Sequence, residues 1–194
     1  MKGRERMSDI GQYMNKQLTS LINQKNSPLG KARLAKLRRG AGKVPGELPE
    51  LWGEFLNGIP EKYLSKNNDE PSRAEWAIYL ALTMFALHQQ GNSSSVHAEG
   101  KSLGAGAVQL MENDTDEERK RVLRRFGPVV TAKDMAELSH HLRCLIQLFS
   151  SKGVVLDYAM LAEDIYKFQF DDKRKGVQLK WGQDFYYKKG EDKE

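Results

Sequence analysis

The sequence predicts an all-α protein, two small helical bundles joined near the chain middle, with residues 1–110 in the first and 111–194 in the second. Three observations predict it. Apolar residues recur at three- and four-residue spacing in nearly every segment, no segment alternates like a half-buried strand, and capping residues stand where the periodic stretches begin. With 194 residues, 39% of them hydrophobic, the chain can bury a substantial core.

Ile10, Met14, Leu18 and Leu21–Ile22 form the first stripe, with Asp9 placed to cap it. Pro28 starts a second helix, which carries "GKARLAKLRRG" to a stop at Gly40. Leu48, Leu51–Trp52 and Phe55–Leu56 mark a short third helix that ends near Gly58-Ile59-Pro60. Ser72 followed by Glu75 is a capping box for the apolar run "WAIYLALTMFAL", Trp76 to Leu87. That run is shorter than the roughly 18 residues a membrane span needs, so it reads as a buried core helix. "QQGNSSSVHAEGKSLGAG" then breaks the periodicity and reads as a polar loop with freedom to move.

Thr115 and Glu118 form a second capping box, opening a helix that Gly127-Pro128 should close. Thr131 opens the next, through Met135, Leu138, Leu142, Leu145–Ile146 and Phe149 to Gly153. Asp157 begins a helix with Leu161, Ile165 and Phe168 on one side. Val177, Trp181 and Phe185 follow at strict four-residue spacing, which favours core packing for Trp181. The two halves meet around residues 107–115.

A single cysteine, Cys144, excludes an intrachain disulfide and a cysteine-based zinc site, and fits a reducing, cytoplasmic setting. It reads as a small buried residue. The N-terminal "MKGRERMSDIG" has charge but no apolar stretch behind it, so no secretory signal is expected, and no membrane association. Glu137 and His141, and His140 and Cys144, have the spacing of paired metal ligands on a helix, but the pairs lie on adjacent faces and no third ligand is placed beside them. Neither a metal nor a cofactor is expected. "SLGAGA" matches no phosphate-loop pattern, no nucleophile elbow or HExxH is present, and nothing assembles an acid with a base. The chain is not expected to be an enzyme.

Charge carries more information. The net charge is +5 and the pI about 9.2, which points to a polyanionic partner. In "ERKRVLRRFG", Glu118 to Gly127, a helical wheel sets Lys120, Arg121, Arg124 and Arg125 opposite Val122, Leu123 and Phe126, with Arg119 alone on the apolar side. Glu117 is spaced to pair with Lys120 and Arg121, while the helix-start acids cannot reach Arg124 and Arg125. Phosphate binding and a solvated face are both open for this run. Lys31, Arg33, Lys36, Arg38, Arg39 and Lys43 form a second cluster with no acidic residue between Gly30 and Gly46. A third, Lys173, Arg174, Lys175 and Lys180, is interleaved with Trp181, Tyr186 and Tyr187, a composition found in single-strand binding grooves.

The stretch His141 to Tyr187 carries an "LR" helix with an apolar face, an "LDY" turn into "LA.D.Y", and the basic-then-Trp ending "KRKGVQLKWGQDFY". Upstream, "ARLAKLRRG", "KSLGAGA" and "ERKRVLRRFG" follow in order. Taken together, these resemble the small subunit of the type I-E CRISPR Cascade complex, the CasB family. The family often carries Arg after "SLG", where this chain has the uncharged Ala105. The resemblance implies a non-enzymatic, nucleic-acid-binding subunit of a crRNA-guided surveillance complex. Its expected partners are other Cascade subunits, a second copy of itself, crRNA, and target DNA including the displaced single strand. By position it implies Arg38, Arg39, Arg124, Arg125, Arg143, Arg174 and Lys175 as contacts. Base pairing would supply sequence, leaving backbone electrostatics and stacking to the protein. A purely structural adaptor with solvated basic faces is the alternative, and for Arg143 a rim salt bridge with Glu163 is another reading.

Overall fold

The computed structural model describes residues 8–66 and 70–187. Nine α-helices lie among them: α1 (Asp9–Gln24), α2 (Pro28–Arg39), α3 (Trp52–Phe55), α4 (Arg73–His88), α5 (Leu103–Val108), α6 (Asp116–Val130), α7 (Met135–Lys152), α8 (Tyr158–Phe168) and α9 (Asp171–Tyr186). Among the described residues no strand forms, and a lone bridge joins His97 to Leu156. The all-α class is as the sequence predicts.

Side-chain oxygens begin most of the long helices. Ser8, not Asp9, caps α1, Ser27 caps α2 ahead of Pro28, and the Ser72–Glu75 box at α4 is complete in both directions. At α6 only half of the expected box forms. Thr115 accepts from the Glu118 amide, but the Glu118 carboxylate turns instead to the Glu112 N–H at 3.0 Å and to Arg121. Gly127-Pro128 does not close α6, which continues to Val130. The proline forfeits one hydrogen bond near the helix end, while buried Phe126 and Val129 and the Thr131 N–H on the Gly127 carbonyl hold the last turn in place. Thr131 is consequently the end of α6, and Asp134 caps α7.

The packing makes two groups. In the first, α8 lies against both α1 and α4, with α2 on α4; in the second, α5 runs along α9 and α6 along α7. Contacts of α4 with α7 and of α8 with α9 fuse them over one continuous core. The two halves of the chain interleave, since α8 comes from the second half and α5 from the first. Gly104 shows how tightly: a Cβ there would fall 2.2 Å from the Trp181 carbonyl oxygen, so α5 and α9 approach backbone to backbone.

Two local expectations change. "SLGAGA" is helix α5, with buried Leu103, Gly104, Gly106 and Ala107, rather than loop. The preceding segment is stapled rather than loose. The Leu156 N–H donates to the Val96 carbonyl at 3.0 Å, Gly100 N–H to the Asp157 carboxylate at 2.8 Å, and the Gln89 amide to the carbonyls of Asn92 and Ser94. Cys144 is exposed, because it falls on the side of α7 opposite Leu142, Leu145 and Ile146.

The division into 1–110 and 111–194 as folding units is a proposal with a direct test. Because α8 lacks α1 and α4 in a 111–194 fragment, that fragment should show no cooperative unfolding alone and should gain it when mixed with 1–110. A sharp transition for the isolated fragment would show that it folds by itself.

A second expectation concerns pH. His88 is buried against Tyr158, whose hydroxyl lies 2.8 Å from Nδ1, and its Nε2 has no partner among the described residues. Burial pushes the imidazole down to about 4, so between about 6.5 and 4 the unfolded chain binds more protons and stability falls as pH falls. His97, also pushed down by burial, acts in the same sense. Denaturant unfolding should lose up to about 3 kcal/mol from His88 across that window. His88→Gln should flatten the dependence, and an unchanged pH profile would exclude this origin.

Candidate nucleic-acid interface

Of the seven predicted contacts, Arg124 and Arg125 are the two exposed cations that stand together in one cleft. Both are exposed on α6, and among the described residues neither has an ion-pair partner; Arg124 lies opposite the buried stripe of Val122, Phe126 and Val129, and Arg125 flanks that stripe. With Leu110, Arg121 and Val122 on one side and Leu148, Ser151 and Lys152 of α7 on the other, they line a cleft of about 290 Å³. The other two cations of the cleft are engaged. Arg121 grips Glu118 with Nε at 2.9 Å and Nη2 at 2.6 Å, holding that carboxyl down to about 2. Lys152 Nζ donates to Glu112 at 2.8 Å. Arg119 is paired with Asp114 and lies over the Tyr186 ring. The local partners therefore differ from those the spacing suggested: Glu118 serves Arg121 where Glu117 was expected.

Arg38 lines a second cavity, about 480 Å³, with Lys25, Lys31, Leu34 and the Gln89–Ser93 turn after α4. No carboxylate lines it. The Asn92 amide reaches Ser150 Oγ at 3.4 Å, and Ser151 lines the first cleft, so the two basic cavities flank the C-terminal end of α7. The fold thus places the cavity of Arg38 and the cleft of Arg124 and Arg125, 86 positions apart or more in sequence, at the same end of α7.

It does not bring the others. Arg39 pairs with Glu50 at 3.6 Å, and Arg33 and Lys43 with Glu54 and Glu47, so the second cluster is partly neutralised by acids that follow Gly46 in the chain. Arg143 donates to the Ala41 carbonyl at 3.3 Å, while Glu163 accepts from Ser8, so the alternative reading of an Arg143–Glu163 bridge does not form among the described residues. Arg174 pairs with Asp171 and donates to the Phe168 carbonyl, leaving exposed Lys175 beside it on α9. Lys180 is turned to buried Asp164, and Trp181 is fully buried, as its spacing indicated. Sequence reasoning missed Lys25 and Lys152. Each stands at a helix C-terminus, where a cation reads as an ordinary complement to the helix dipole.

Among the described residues no three His, Cys, Asp or Glu side chains gather as a metal site, and no helix is long and apolar enough to cross a membrane. His141 lies 3.8 Å from Glu137, as an isolated pair.

The same helical architecture occurs in crystal structures of CasB proteins. CasB from Thermobifida fusca superposes with a TM-score of 0.77 at 26% identity, covering 94% of this chain and all of that one. CasB from Thermus thermophilus gives 0.65 at 21% identity, over 89% of this chain and 97% of that chain. M. ruber CasB gives 0.63 at 22%, over 93% and 94%. Among curated proteins no sequence matches this chain. The fold defines the class: an all-helical CRISPR-associated protein. The chain belongs to the Cse2 (CasB) family, whose sequence model, CRISPR-associated protein Cse2, matches residues 33–186.

The separation of core and cleft on α6 has a measurable consequence. Phe126 is buried and stacked on Phe185 with centroids 5.4 Å apart, so Phe126→Ala should cost about 3 kcal/mol in denaturant unfolding. The double change Arg124→Glu, Arg125→Glu should stay within about 0.5 kcal/mol of wild type. The reverse order of effects would place the arginines, not the phenylalanine, in the fold's support.

Proposed function

We propose that this chain is a non-enzymatic nucleic-acid-binding subunit of a crRNA-guided Cascade complex. It holds the crRNA–target region and stabilises the displaced DNA strand beside other Cascade subunits and a second copy of itself. The observation that carries the reading is the unpaired charge of Arg124 and Arg125 in a cleft beside a second, carboxylate-free basic cavity containing Arg38. Cations without local acids are free to displace counterions from phosphates, and such contacts need no base-reading element. Arg39, Arg143, Arg174 and Lys175 belong to the proposal as peripheral contacts, since all but Lys175 have intramolecular partners to leave.

One observation favours the adaptor reading for part of the surface: Leu179, Tyr186 and Tyr187 on or next to α9 are exposed, and such side chains suit a protein neighbour. The two readings separate in one experiment. Wild type and Arg124→Glu, Arg125→Glu are titrated with single-stranded DNA at several salt concentrations, and in the assembled complex the lifetime of an opened target duplex is followed. The charge reversal should weaken binding and flatten the salt slope by about 1.4 if two phosphates are lost. The complex should still assemble and load crRNA but hold the open duplex more briefly. Equal slopes and equal lifetimes would leave the adaptor reading standing alone. Metal-dependent cleavage abolished by changing Asp116 or Glu117 would overturn the non-enzymatic assignment.

A further inference from the structure

At the opposite end of α4 from the basic cavities, three half-buried rings meet edge to face. Tyr63 and Tyr166 have centroids 6.1 Å apart at 80°, and Tyr166 and Phe170 5.2 Å apart at 75°. Cations lie on them. The Arg73 guanidinium is 4.4 Å from the Phe170 centroid, Lys173 Nζ 4.8 Å from the same ring, and Lys62 Nζ 5.0 Å from that of Tyr63. Lys62, Lys66, Arg73, Tyr63, Tyr166 and Phe170 share an open cavity of about 570 Å³.

The rings are held firmly. Tyr166 and Phe170 are one helical turn apart at the α8–α9 joint. The Tyr63 carbonyl accepts from Ser72 Oγ at 2.5 Å, within the capping box that starts α4, and Gln169 donates to the Arg73 carbonyl at 2.8 Å. The nearby carboxylates are Glu70, in the lining, Asp9, which pairs with Lys62, Asp171, which pairs with Arg174, and exposed Asp172 beside Lys173. Among the described residues Lys66, Arg73 and Lys173 have no ion-pair partner. None of the three rings and none of these cations belongs to the contacts that the family resemblance implies.

We propose that this face is a stacking subsite for an unpaired nucleobase. A base stacks on the outer face of the Arg73 guanidinium, which Phe170 backs, and its flanking phosphates meet Lys66 and Lys173. Planar guanidinium and aromatic groups accept any base by its face, and cations beside them neutralise the backbone. The exposed planar guanidinium backed by a ring offers a flat face that a base fills and a carboxylate does not, which is why nucleic acid is the occupant chosen. The proposal rests on the reading that this chain handles nucleic acid, but it adds recognition of bases to that of phosphates.

The test uses the full chain and two probes of equal charge: an oligothymidylate of about twelve nucleotides and a strand of the same length made of abasic units. Wild type should bind the thymidylate about tenfold more tightly. Arg73→Gln and Phe170→Ala should each bring that ratio close to one. Arg73→Gln alters only an exposed side chain, which keeps the result interpretable if Phe170→Ala unfolds. Arg124→Glu with Arg125→Glu should weaken both probes alike and preserve the ratio. A wild-type ratio of one, with both probes bound, overturns this proposal and spares the phosphate reading; no binding of either probe overturns both. A photo-crosslinking benzoylphenylalanine at position 63 of the target-bound complex should capture nucleic acid. Capture of a protein subunit only, or of nothing, also overturns the proposal.

Discussion

The contact between α8 and α9 at Asp164 and Trp181, together with the packing of α4 on α7, holds the two helical groups together. Trp181 Nε1 donates to Asp164 Oδ2 at 2.8 Å, and its ring stacks on Phe168 with centroids 5.9 Å apart. Burial raises the Asp164 carboxyl above its usual range, and the Lys180 ammonium and the indole N–H offset part of that penalty. Since α8 is packed into α1 and α4, this contact fixes α9 to the first group. From α9, Phe185 reaches Phe126 on α6, and the Trp181 backbone accepts the close approach of Gly104 on α5. Through Phe185 and Phe126 this contact helps to seat α6, whose main support is α7.

That dependence explains what was legible in the sequence and what was not. Periodicity located the helices because burial on one face is a local property: Val177, Trp181 and Phe185 read as core and are core. Short-range chemistry was legible too, as at the Ser72–Glu75 box. Failures came where a tertiary contact overrode a local rule. Gly127-Pro128 signals a stop, yet buried Val129 carries α6 past it. The glycines of "SLGAGA" signal a loop, yet Gly104 lets α5 lie against α9 and Gly106 makes room for Phe149 of α7. Cys144 reads as buried by type, and only the placement of α7 exposes it.

The basic surface shows the same limit in electrostatic form. A charge run records which cations lie near one another in sequence, whereas its capacity to bind phosphate depends on which remain unmatched after folding. Arg33, Arg39 and Lys43 found carboxylates beyond Gly46, and Arg143 found a backbone carbonyl. Arg124 and Arg125 found none, as the reach of the helix-start acids indicated. The convergence of Arg38 on the same end of α7 was invisible, because it comes from packing between helices of different groups. Exposed pairs such as Lys152–Glu112 are worth only about 0–1 kcal/mol, so they can exchange for phosphate at little cost.

Helix α4 then explains why functional chemistry gathers at two ends. Nearly all of its side chains are buried, from Ala74 to His88, so its length offers a ligand nothing. Its two termini open onto the surface, the first beside the ring cluster and the last beside the cavity of Lys25, Lys31 and Arg38. At a rise of 1.5 Å per residue those ends lie about 22 Å apart, a separation fixed by a rigid, desolvated helix. That distance corresponds to about six phosphates at the spacing of a stacked strand, about 3.4 Å each. Under the proposed function, one strand of modest length would span from the cavity of Arg38, met through its phosphates, to the ring cluster, met through a base. With the two sites held by one helix, binding at the first raises the effective concentration of the strand at the second. Two individually weak sites of this kind would retain a strand while leaving each contact exchangeable, which is what the proposed role, holding a single strand without reading its sequence, requires.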